Sequence, residues 1–233
     1  MPFPTTRWSL LAQATIHGDA VQTEAWAEFY RRYQGPVIAF IRRQGRTQVQ
    51  AEDLAQEFFI YVIENATLQR ADPLRGRFRS FLLKLLVRYL SRDRVKGAAV
   101  KRGGGTETLP LDAQLEDELA VPAAVARSFD RTWAWELLAL AKREQAVRWG
   151  ARDRAADLTK LEGFLPGSAV APTYEEAAQA LGWTLARLKT EVFRLRQEFR
   201  EILRAEVALT VDEPGEVESE LRHLHTVLAD PTE

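Results

Sequence analysis

The chain of 233 residues contains no cysteine. This absence excludes disulfide bridges, thiolate metal sites and cysteine nucleophiles, and it is typical of proteins of the reducing cytoplasm. No apolar run is long enough to span a bilayer, and the N-terminal stretch MPFPTTRWSLL lacks the basic and apolar segments of a secretory signal. We therefore expect a cytoplasmic protein with no membrane partner.

Strand-forming patterns are also scarce. Alternating β-branched residues are nearly absent, whereas Ala, Leu, Arg, Glu and Gln dominate the sequence, and these residues favour helix over strand. The predicted fold class is all-α, with two helical domains joined by a flexible acidic linker. The domains are predicted at residues 1–97 and 131–205, the linker at residues 98–130, and an acidic C-terminal helical extension at residues 206–233.

Motifs for catalysis or for a cofactor are missing as well. The chain has no nucleophile–base pair and no metal cluster at ligand spacing. The run KRGGGT is not a phosphate-binding loop, because its lysine precedes the glycines. His223 and His225 lie two residues apart and so face different sides of a predicted helix. We expect neither an enzyme nor a cofactor.

The net charge of −1 hides an uneven distribution of charge along the chain. Residues 1–102 carry 17 Lys and Arg against 9 Asp and Glu, whereas residues 205–233 carry 1 against 8. The basic bias is strongest at residues 66–102, with 11 basic residues against 2 acidic ones. Such segregation predicts a basic surface for a polyanion, with acidic segments kept apart from it.

Residues 173–204 have the pattern of a short helix, a tight turn and a long helix. Thr173 and Glu176 are spaced as a capping box, and Gly182 suits the left-handed conformation that ends many helices. Thr184 can cap the second helix, whose apolar residues recur in steps of three and four: Leu185, Leu188, Val192, Leu195, Phe199 and Ile202. The pattern predicts a helix-turn-helix whose second helix enters the major groove of DNA. A helical hairpin with a solvated basic face is the alternative.

Residues 50–64 predict a helix with two distinct faces. Its apolar face consists of Leu54, Phe58, Tyr61 and Val62. Asp53, Gln56 and Glu57 lie on another face near the N-terminus, where the helix dipole favours carboxylates. That structural explanation is the alternative to a binding role for the three residues. A metal site is not expected, because no histidine lies nearby.

Residues 77–96 predict one basic helix, preceded by a loop at residues 72–76. Its predicted core positions are Phe81, Leu82, Leu85, Leu86 and Tyr89, and its open side carries Arg77, Lys84, Arg88, Arg92 and Lys96. Basic residues interleaved with aromatic ones suit neutralisation of a nucleic-acid backbone and stacking of unpaired bases. A solvated basic helix over an ordinary aromatic core is equally consistent with the pattern.

The remaining apolar periodicity predicts further helices on both sides of these segments. They are predicted before Gly18, at residues 22–32, from Pro36 to Ile41, from Phe129 to Trp149, at residues 155–164 and at residues 214–228. Gly35 and Pro36 are expected to separate two helices, since proline is well placed in the first turn of a new one.

The order of these motifs resembles that of bacterial sigma factors of the extracytoplasmic-function (ECF) group, within the sigma-70 family. AEDLAQEFF is similar to the region 2 helix that docks on RNA polymerase, and GRFRSFLLKLLVRYLSRDRV to the part of region 2 that melts and holds the −10 promoter element. YEEAAQALGWTLARLKTEVFRLRQEFREILRAE resembles region 4, which reads the −35 element. TRWSLL, FDRTWAW and EVESELRHL resemble a subgroup with an extended region 4 and a C-terminal extension.

The resemblance implies a protein that binds core RNA polymerase and promoter DNA and leaves the chemistry to the polymerase. Asp53, Gln56 and Glu57 are implied to dock on the β′ clamp helices, and region 4 is implied to lie at the β flap. The implied −10 contacts are Arg77, Phe78, Arg79, Lys84, Arg88 and Arg92, with a base pocket in the loop before Phe78. The implied −35 contacts are Thr184, Arg187, Lys189, Thr190, Arg194 and Arg196. An anti-sigma factor or another regulatory protein is a further implied partner.

Three positions depart from the pattern of the family. Arg88 stands where many relatives have asparagine, and Trp183 fills a turn position usually held by a smaller residue. Glu191 puts an acid on the recognition helix, where it would repel phosphates or accept a hydrogen bond from a cytosine amino group. The alternative function is a helix-turn-helix regulator that binds a two-fold operator as a dimer, without polymerase.

Overall fold

The computed structural model describes residues 20–65, 67, 77–101, 121–168, 171–211 and 214–229. Every regular element assigned in these ranges is a helix, which confirms the predicted all-α fold class. The α-helices are α1 (Ala20–Arg43), α2 (Gln48–Glu64), α3 (Phe78–Lys101), α4 (Ala123–Gly150), α5 (Ala155–Leu161), α6 (Tyr174–Leu181), α7 (Leu185–Ala208) and α8 (Val217–Ala229). Short 3-10 turns lie at Glu162–Phe164 and Pro214–Glu216. None of these helices combines the length and the apolar character that a membrane span requires.

The chain divides into two compact units, residues 1–133 and residues 134–233, with the boundary inside α4. Helix α3 continues to Lys101 and α4 begins at Ala123 rather than at Phe129, so both ends of the linker predicted at residues 98–130 are helical. For α4 the reason is burial: Phe129 and Trp133 are 1% and 0% exposed and belong to the core of the first unit. The helix predicted before Gly18 lies outside the described residues.

Helix α1 is continuous through Pro36, although the sequence predicted two helices separated there. The prediction was wrong because it considered only the local effect of proline. Buried apolar residues on both sides of Pro36 hold the helix against the rest of the first unit: Phe29, Tyr33, Val37, Phe40 and Ile41. Each such side chain contributes about 1.5–3 kcal/mol on burial, and together they outweigh the roughly 3 kcal/mol that an interior proline costs.

An aromatic cluster fills the core of the first unit. The Phe29 ring centroid lies 5.6 Å from that of Phe59 and 5.8 Å from that of Phe78, which joins α1 to α2 and α3. Tyr33 stacks on Trp133 at 6.5 Å and adds the first turns of α4. Such aromatic pairs contribute about 0.5–1.5 kcal/mol each beyond burial. The faces of α2 and α3 that pack on this cluster are buried, so their opposite faces are exposed to solvent.

The predicted core positions of α2 and α3 are largely confirmed. The buried ones are Phe58, Val62, Leu82, Leu85 and Leu86. The half-buried ones are Leu54, Tyr61, Phe81 and Tyr89. Helix α2 begins two residues before the predicted Gln50, because Thr47 and Gln50 form a capping box that the prediction missed.

Helix α7 is the centre of the second unit. Its buried seam is Leu188, Val192, Leu195, Phe199 and Ile202, as predicted. Leu185 was also predicted in this seam but is 39% exposed, because it is the first residue of the helix and extends beyond the core. The predicted helices at residues 155–164 and 214–228 are confirmed, each with a 3-10 turn at one end. Leu228 of α8 packs on the same core, so α8 is part of this unit.

Candidate nucleic-acid interface

A short turn joins α6 to α7, the two helices of the predicted helix-turn-helix. The Thr173 hydroxyl accepts the Glu176 amide at 3.2 Å, and the Glu176 carboxylate accepts the Thr173 amide at 3.0 Å, which confirms the predicted capping box. Gly182 adopts the left-handed conformation, with φ 64° and ψ 31°. The Trp183 amide donates to the Ala178 carbonyl at 2.9 Å and closes the end of α6.

Trp183 fits this turn and supports an arginine. Its ring is half-buried against the core of the second unit, and the Arg187 guanidinium lies 4.3 Å above its centroid. Thr184 caps α7 as predicted, its hydroxyl accepting the Arg187 amide at 3.3 Å. A cation–π contact at an exposed site contributes about 0.5–1 kcal/mol. Trp183 is therefore compatible with the turn, and its ring positions the Arg187 guanidinium next to the turn.

Three predicted DNA contacts lie on the exposed side of α7: Lys189, Thr190 and Arg194. The Thr190 hydroxyl donates to the Ala186 carbonyl at 3.1 Å. Phe193 lies among them and is 62% exposed, although it was not predicted as a site residue. Phe193 falls outside the three-and-four spacing of the buried residues of α7, and this spacing could have predicted its exposure from the sequence. An exposed phenyl group gives this surface an apolar contact of the kind that suits a thymine methyl group.

Arg196 is exposed and makes a hydrogen bond to a residue outside α7. Its Nε donates to the Phe164 carbonyl at 3.0 Å, which holds the guanidinium against the 3-10 turn after α5. Arg196 also lines an open cavity of about 400 Å³ beside Phe199 and Arg200. This hydrogen bond gives Arg196 a structural contact that helix periodicity could not reveal, and its −35 contact stays a prediction.

Glu191 is held between two arginines. Its side chain is 12% exposed, with Oε2 at 2.9 Å from Arg154 and Oε1 at 3.0 Å from Arg194. The Arg154 guanidinium also lies 4.5 Å over the Trp149 ring and pairs with Asp157 at 3.0 Å. Burial acts to lower the pKa of Arg154, but its bonds to the two carboxylates outweigh burial and raise that pKa. Sequence reasoning missed Arg154, because it precedes Glu191 by 37 positions.

The exposed face of α2 contains all three predicted docking residues, Asp53, Gln56 and Glu57. Exposed aliphatic side chains lie on the same helix: Val49 is 65% exposed, Ile60 52% and Ile63 39%. Their spacing from Asp53 and Gln56, in steps of three and four residues, puts them on one side of α2. The face is therefore mixed, with an acidic and amide centre between aliphatic ends. The apolar part was absent from the sequence interpretation.

A hydrogen bond links this face to α3. The Tyr89 hydroxyl donates to Glu57 Oε2 at 3.3 Å, and the Tyr89 ring contacts those of Phe58 and Tyr61 at 5.5 and 5.4 Å. Burial, and then the neighbouring Glu57 carboxylate, raise the pKa of Tyr89 above its ordinary value. Tyr89 therefore stays protonated and keeps donating this hydrogen bond.

The predicted −10 residues divide into exposed and buried groups. Arg77 and Lys84 are exposed, and Arg88 and Arg92 are half-buried. Phe78 is 8% exposed and packs on Phe29 and Tyr33, so it belongs to the aromatic core. The base pocket predicted in the loop before Phe78 lies outside the described residues.

Arg79 is likewise an interior residue. Its side chain is 4% exposed, its Nε donates to Asp130 Oδ1 at 2.6 Å, and its guanidinium lies 4.5 Å over the Trp133 ring. The ion pair joins the start of α3 to α4. The buried pair gives Arg79 a structural role, and its −10 contact stays a prediction.

Residues 29–99 match the family model for sigma-70 region 2. The match contains all of α2 and most of α3, spans well under half of the 233-residue chain and ends before the second unit. Comparison with curated proteins and with solved structures found no match. Among the described residues, no group of three or more acidic or histidine side chains could hold a metal ion. The similarity is therefore to one region of the sigma-70 family, and it covers the helices that carry the predicted docking and −10 residues.

Proposed function

We propose that this protein is a sigma factor of the ECF group, from the subgroup with an extended region 4 and a C-terminal extension. The region 2 match over residues 29–99 is the observation that carries the proposal. The helix-turn-helix of the second unit supports it, because a promoter-specific factor needs a second reader for duplex DNA. The packing of α8 on that unit supports the C-terminal extension. As a partner of RNA polymerase, the protein acts in the cytoplasm.

The exposed face of α2 docks on the β′ clamp helices in this proposal. Asp53, Gln56 and Glu57 supply the polar centre, and the exposed Val49 and Ile60 supply apolar contact at its ends. A mixed surface suits a helical partner, since apolar burial gives affinity and charge fixes register. Region 4 lies at the β flap, and an anti-sigma factor or other regulator covers one of these surfaces when the protein is inactive.

The basic side of α3 holds the opened −10 strand. Phe78 and Arg79 are buried, so the proposed contacts are Arg77, Lys84, Arg88 and Arg92. Each phosphate that these residues neutralise releases counterions, so promoter opening should weaken steeply with salt. Unpaired bases need a partner that compensates for lost stacking, which costs a few kcal/mol per base.

The outward face of α7 reads the −35 element in the major groove. Arg187, Lys189, Thr190 and Arg194 are the proposed contacts, with Thr184 mainly a cap. Loss of a base-reading arginine should cost about 1–3 kcal/mol at one base pair, whereas loss of a phosphate contact weakens all sequences alike. The domain division stays a proposal, with an acidic linker that ends before Ala123.

The full-length protein and core RNA polymerase test this proposal together. Core polymerase with the protein should select specific duplexes from a randomised library and start transcription from them, and core polymerase alone should not. The Asp53→Lys/Glu57→Lys variant should lose core binding while its helicity and melting temperature stay near those of the wild type. Glu52→Lys makes the same type of charge change about a quarter of a turn away on α2, so it should bind nearly normally.

The competing function predicts a different outcome. A helix-turn-helix regulator would bind a two-fold site as a dimer without polymerase, and charge reversal on α2 would leave that binding unchanged. Sequence-specific binding in the absence of core polymerase, with no transcription in its presence, would favour the regulator and reject the sigma factor.

A further inference from the structure

Glu191 is a carboxylate on the face of α7 that the proposed function turns toward DNA. Both of its oxygens are bound, Oε2 by Arg154 at 2.9 Å and Oε1 by Arg194 at 3.0 Å. A carboxylate between two guanidinium groups presents little net negative charge to an approaching duplex. With both oxygens bound and 12% of the side chain exposed, Glu191 is also poorly placed to accept a cytosine amino group. Its effect therefore passes through the arginines.

Arg154 fixes Glu191 in place. The Arg154 guanidinium stacks on the Trp149 ring at 4.5 Å and pairs with Asp157 at 3.0 Å, on the turn between α4 and α5. An exposed ion pair three residues apart ordinarily contributes little, because both long side chains must lose freedom to form it. Here the acidic partner is already ordered by contacts from outside α7. Only Arg194 has to be ordered when the Glu191–Arg194 pair forms.

Arg194 keeps one edge of its guanidinium for a ligand. Its side chain is 70% exposed, and Glu191 binds only Nη1. Within the part of the chain that the structure describes, Nε and Nη2 have no other partner. These two nitrogens form a fork that matches O6 and N7 of guanine in the major groove. An arginine held in advance by a fixed carboxylate loses less freedom when it binds a base.

We propose that Glu191 is a positioning residue for guanine recognition: Arg154 fixes Glu191, and Glu191 orients the free edge of Arg194 toward a guanine in the −35 duplex. The inference rests on the proposed function, since it requires that α7 enters the major groove. It assigns the acidic residue that departs from the family pattern to the selection of one base. It also brings Arg154, outside the helix-turn-helix, into the reading of DNA.

The probe is a duplex selected from a randomised library by core polymerase with the wild-type protein. Each guanine of its −35 segment is replaced in turn by 7-deazaguanine, which lacks the N7 acceptor, and holoenzyme binding is measured by competition. For the wild type, one replacement should weaken binding at least fivefold, the lower end of the discrimination that a bidentate arginine provides. Arg194→Ala should be insensitive to that replacement. Glu191→Gln and Arg154→Met should each reduce the sensitivity at the same guanine about threefold or more.

A charge exchange separates positioning from simple stabilisation. The variant Arg154→Glu/Glu191→Arg restores an ion pair between the turn and α7, so its melting temperature should recover relative to the single variants. It leaves Arg194 beside an arginine in place of its carboxylate anchor, so the guanine sensitivity should stay lost. Recovery of both properties would mean that Glu191 is only structural and would overturn the proposal.

Other outcomes also decide the matter. Unchanged guanine sensitivity in Glu191→Gln would reject the positioning role. Loss of a cytosine preference in Glu191→Gln, but not in Arg154→Met, would show that Glu191 reads a base itself and would overturn the proposal. If alanine at Lys189, Thr190 and Arg194 leaves promoter selection unaltered, the proposed reading surface fails along with this inference. If those variants alter selection and Glu191→Gln does not, the inference alone fails.

Discussion

Substitution of Arg79 tests whether the most basic stretch of the chain is all DNA-binding surface. Arg79 is 4% exposed and Asp130 is 16% exposed, and the two form the ion pair that joins α3 to α4. We predict that Arg79→Met destabilises the first unit. The methionine keeps much of the apolar volume but removes the guanidinium that pairs with Asp130 and lies over the Trp133 ring.

The expected loss follows from the burial of the pair. Breaking a buried ion pair by removing one partner costs about 3–5 kcal/mol, because an uncompensated charge stays inside. Asp130 retains some access to water, which puts the loss near the lower end, at roughly 3 kcal/mol. A loss of that size raises the opening equilibrium of the first unit about 100-fold, since each 1.4 kcal/mol is a factor of ten. Arg79→Met/Asp130→Asn should lose less than the sum of the single losses, because the two residues take part in the same interaction.

Hydrogen exchange measured by mass spectrometry is the suitable assay, since two units need not unfold in one transition. Amides of α3 and of the first turns of α4 should exchange about 100-fold faster, whereas those of α7 should be unchanged. Lys84→Met is the matched control on the same helix: Lys84 is exposed, so its loss should change stability by less than about 0.5 kcal/mol. Exchange in Arg79→Met within threefold of the wild type would refute the structural assignment and return Arg79 to the −10 surface.

Three further predictions concern positions with a defined local geometry. Gly182→Ala should cost about 1–2 kcal/mol, since φ is +64° but no atom crowds the added methyl group; Gly167→Ala should cost more in a denaturant titration, because its methyl group would lie 2.6 Å from the Trp135 ring. Burial acts to raise the pKa of Glu198, but hydrogen bonds from Arg152 and Trp149 outweigh burial and lower that pKa. The Glu198 carboxylate therefore stabilises the fold above the ordinary pKa of 4.5, and this stabilisation is lost as the pH falls below that value. Thermal melts at a series of pH values should show a smaller loss of stability in acid for Glu198→Gln than for the wild type. Tyr89→Phe should keep the packing but lose the bond to Glu57, and we expect less than about 1.5 kcal/mol of destabilisation together with a measurable loss of core-polymerase affinity.

Local rules were sufficient for the helix-turn-helix. The cap at Thr173, the stop at Gly182 and the cap at Thr184 depend on residues at most a few positions away, and all three are confirmed. The helical fold class followed from composition and periodicity for the same reason. Pro36 was wrongly interpreted, because burial along both halves of α1 is a property of the whole unit.

Long side chains with distant partners were beyond the reach of such rules. Helix periodicity gives the direction in which a side chain leaves the helix, but the long side chain of an arginine can bend and bring its guanidinium to a partner elsewhere. Arg79 donates a hydrogen bond to Asp130, 51 positions away in the sequence, and Arg196 donates one to the Phe164 carbonyl, 32 positions away. Neither separation has a signature in a single sequence. The count of basic residues therefore overstated the surface available to DNA.

The first unit places two candidate surfaces on helices that share one packed boundary. Glu57 belongs to the proposed docking face of α2, and it accepts the hydrogen bond of Tyr89 from α3, beside the half-buried Arg88 and Arg92. The rings of Phe58 and Tyr61 pack on Tyr89 at the same boundary. If Tyr89 couples the two proposed surfaces, polymerase docking and strand binding must change each other's binding free energy by the same amount, because coupling between two sites is reciprocal. The Tyr89→Phe variant lacks the hydroxyl that bonds to Glu57, so it should remove that mutual effect.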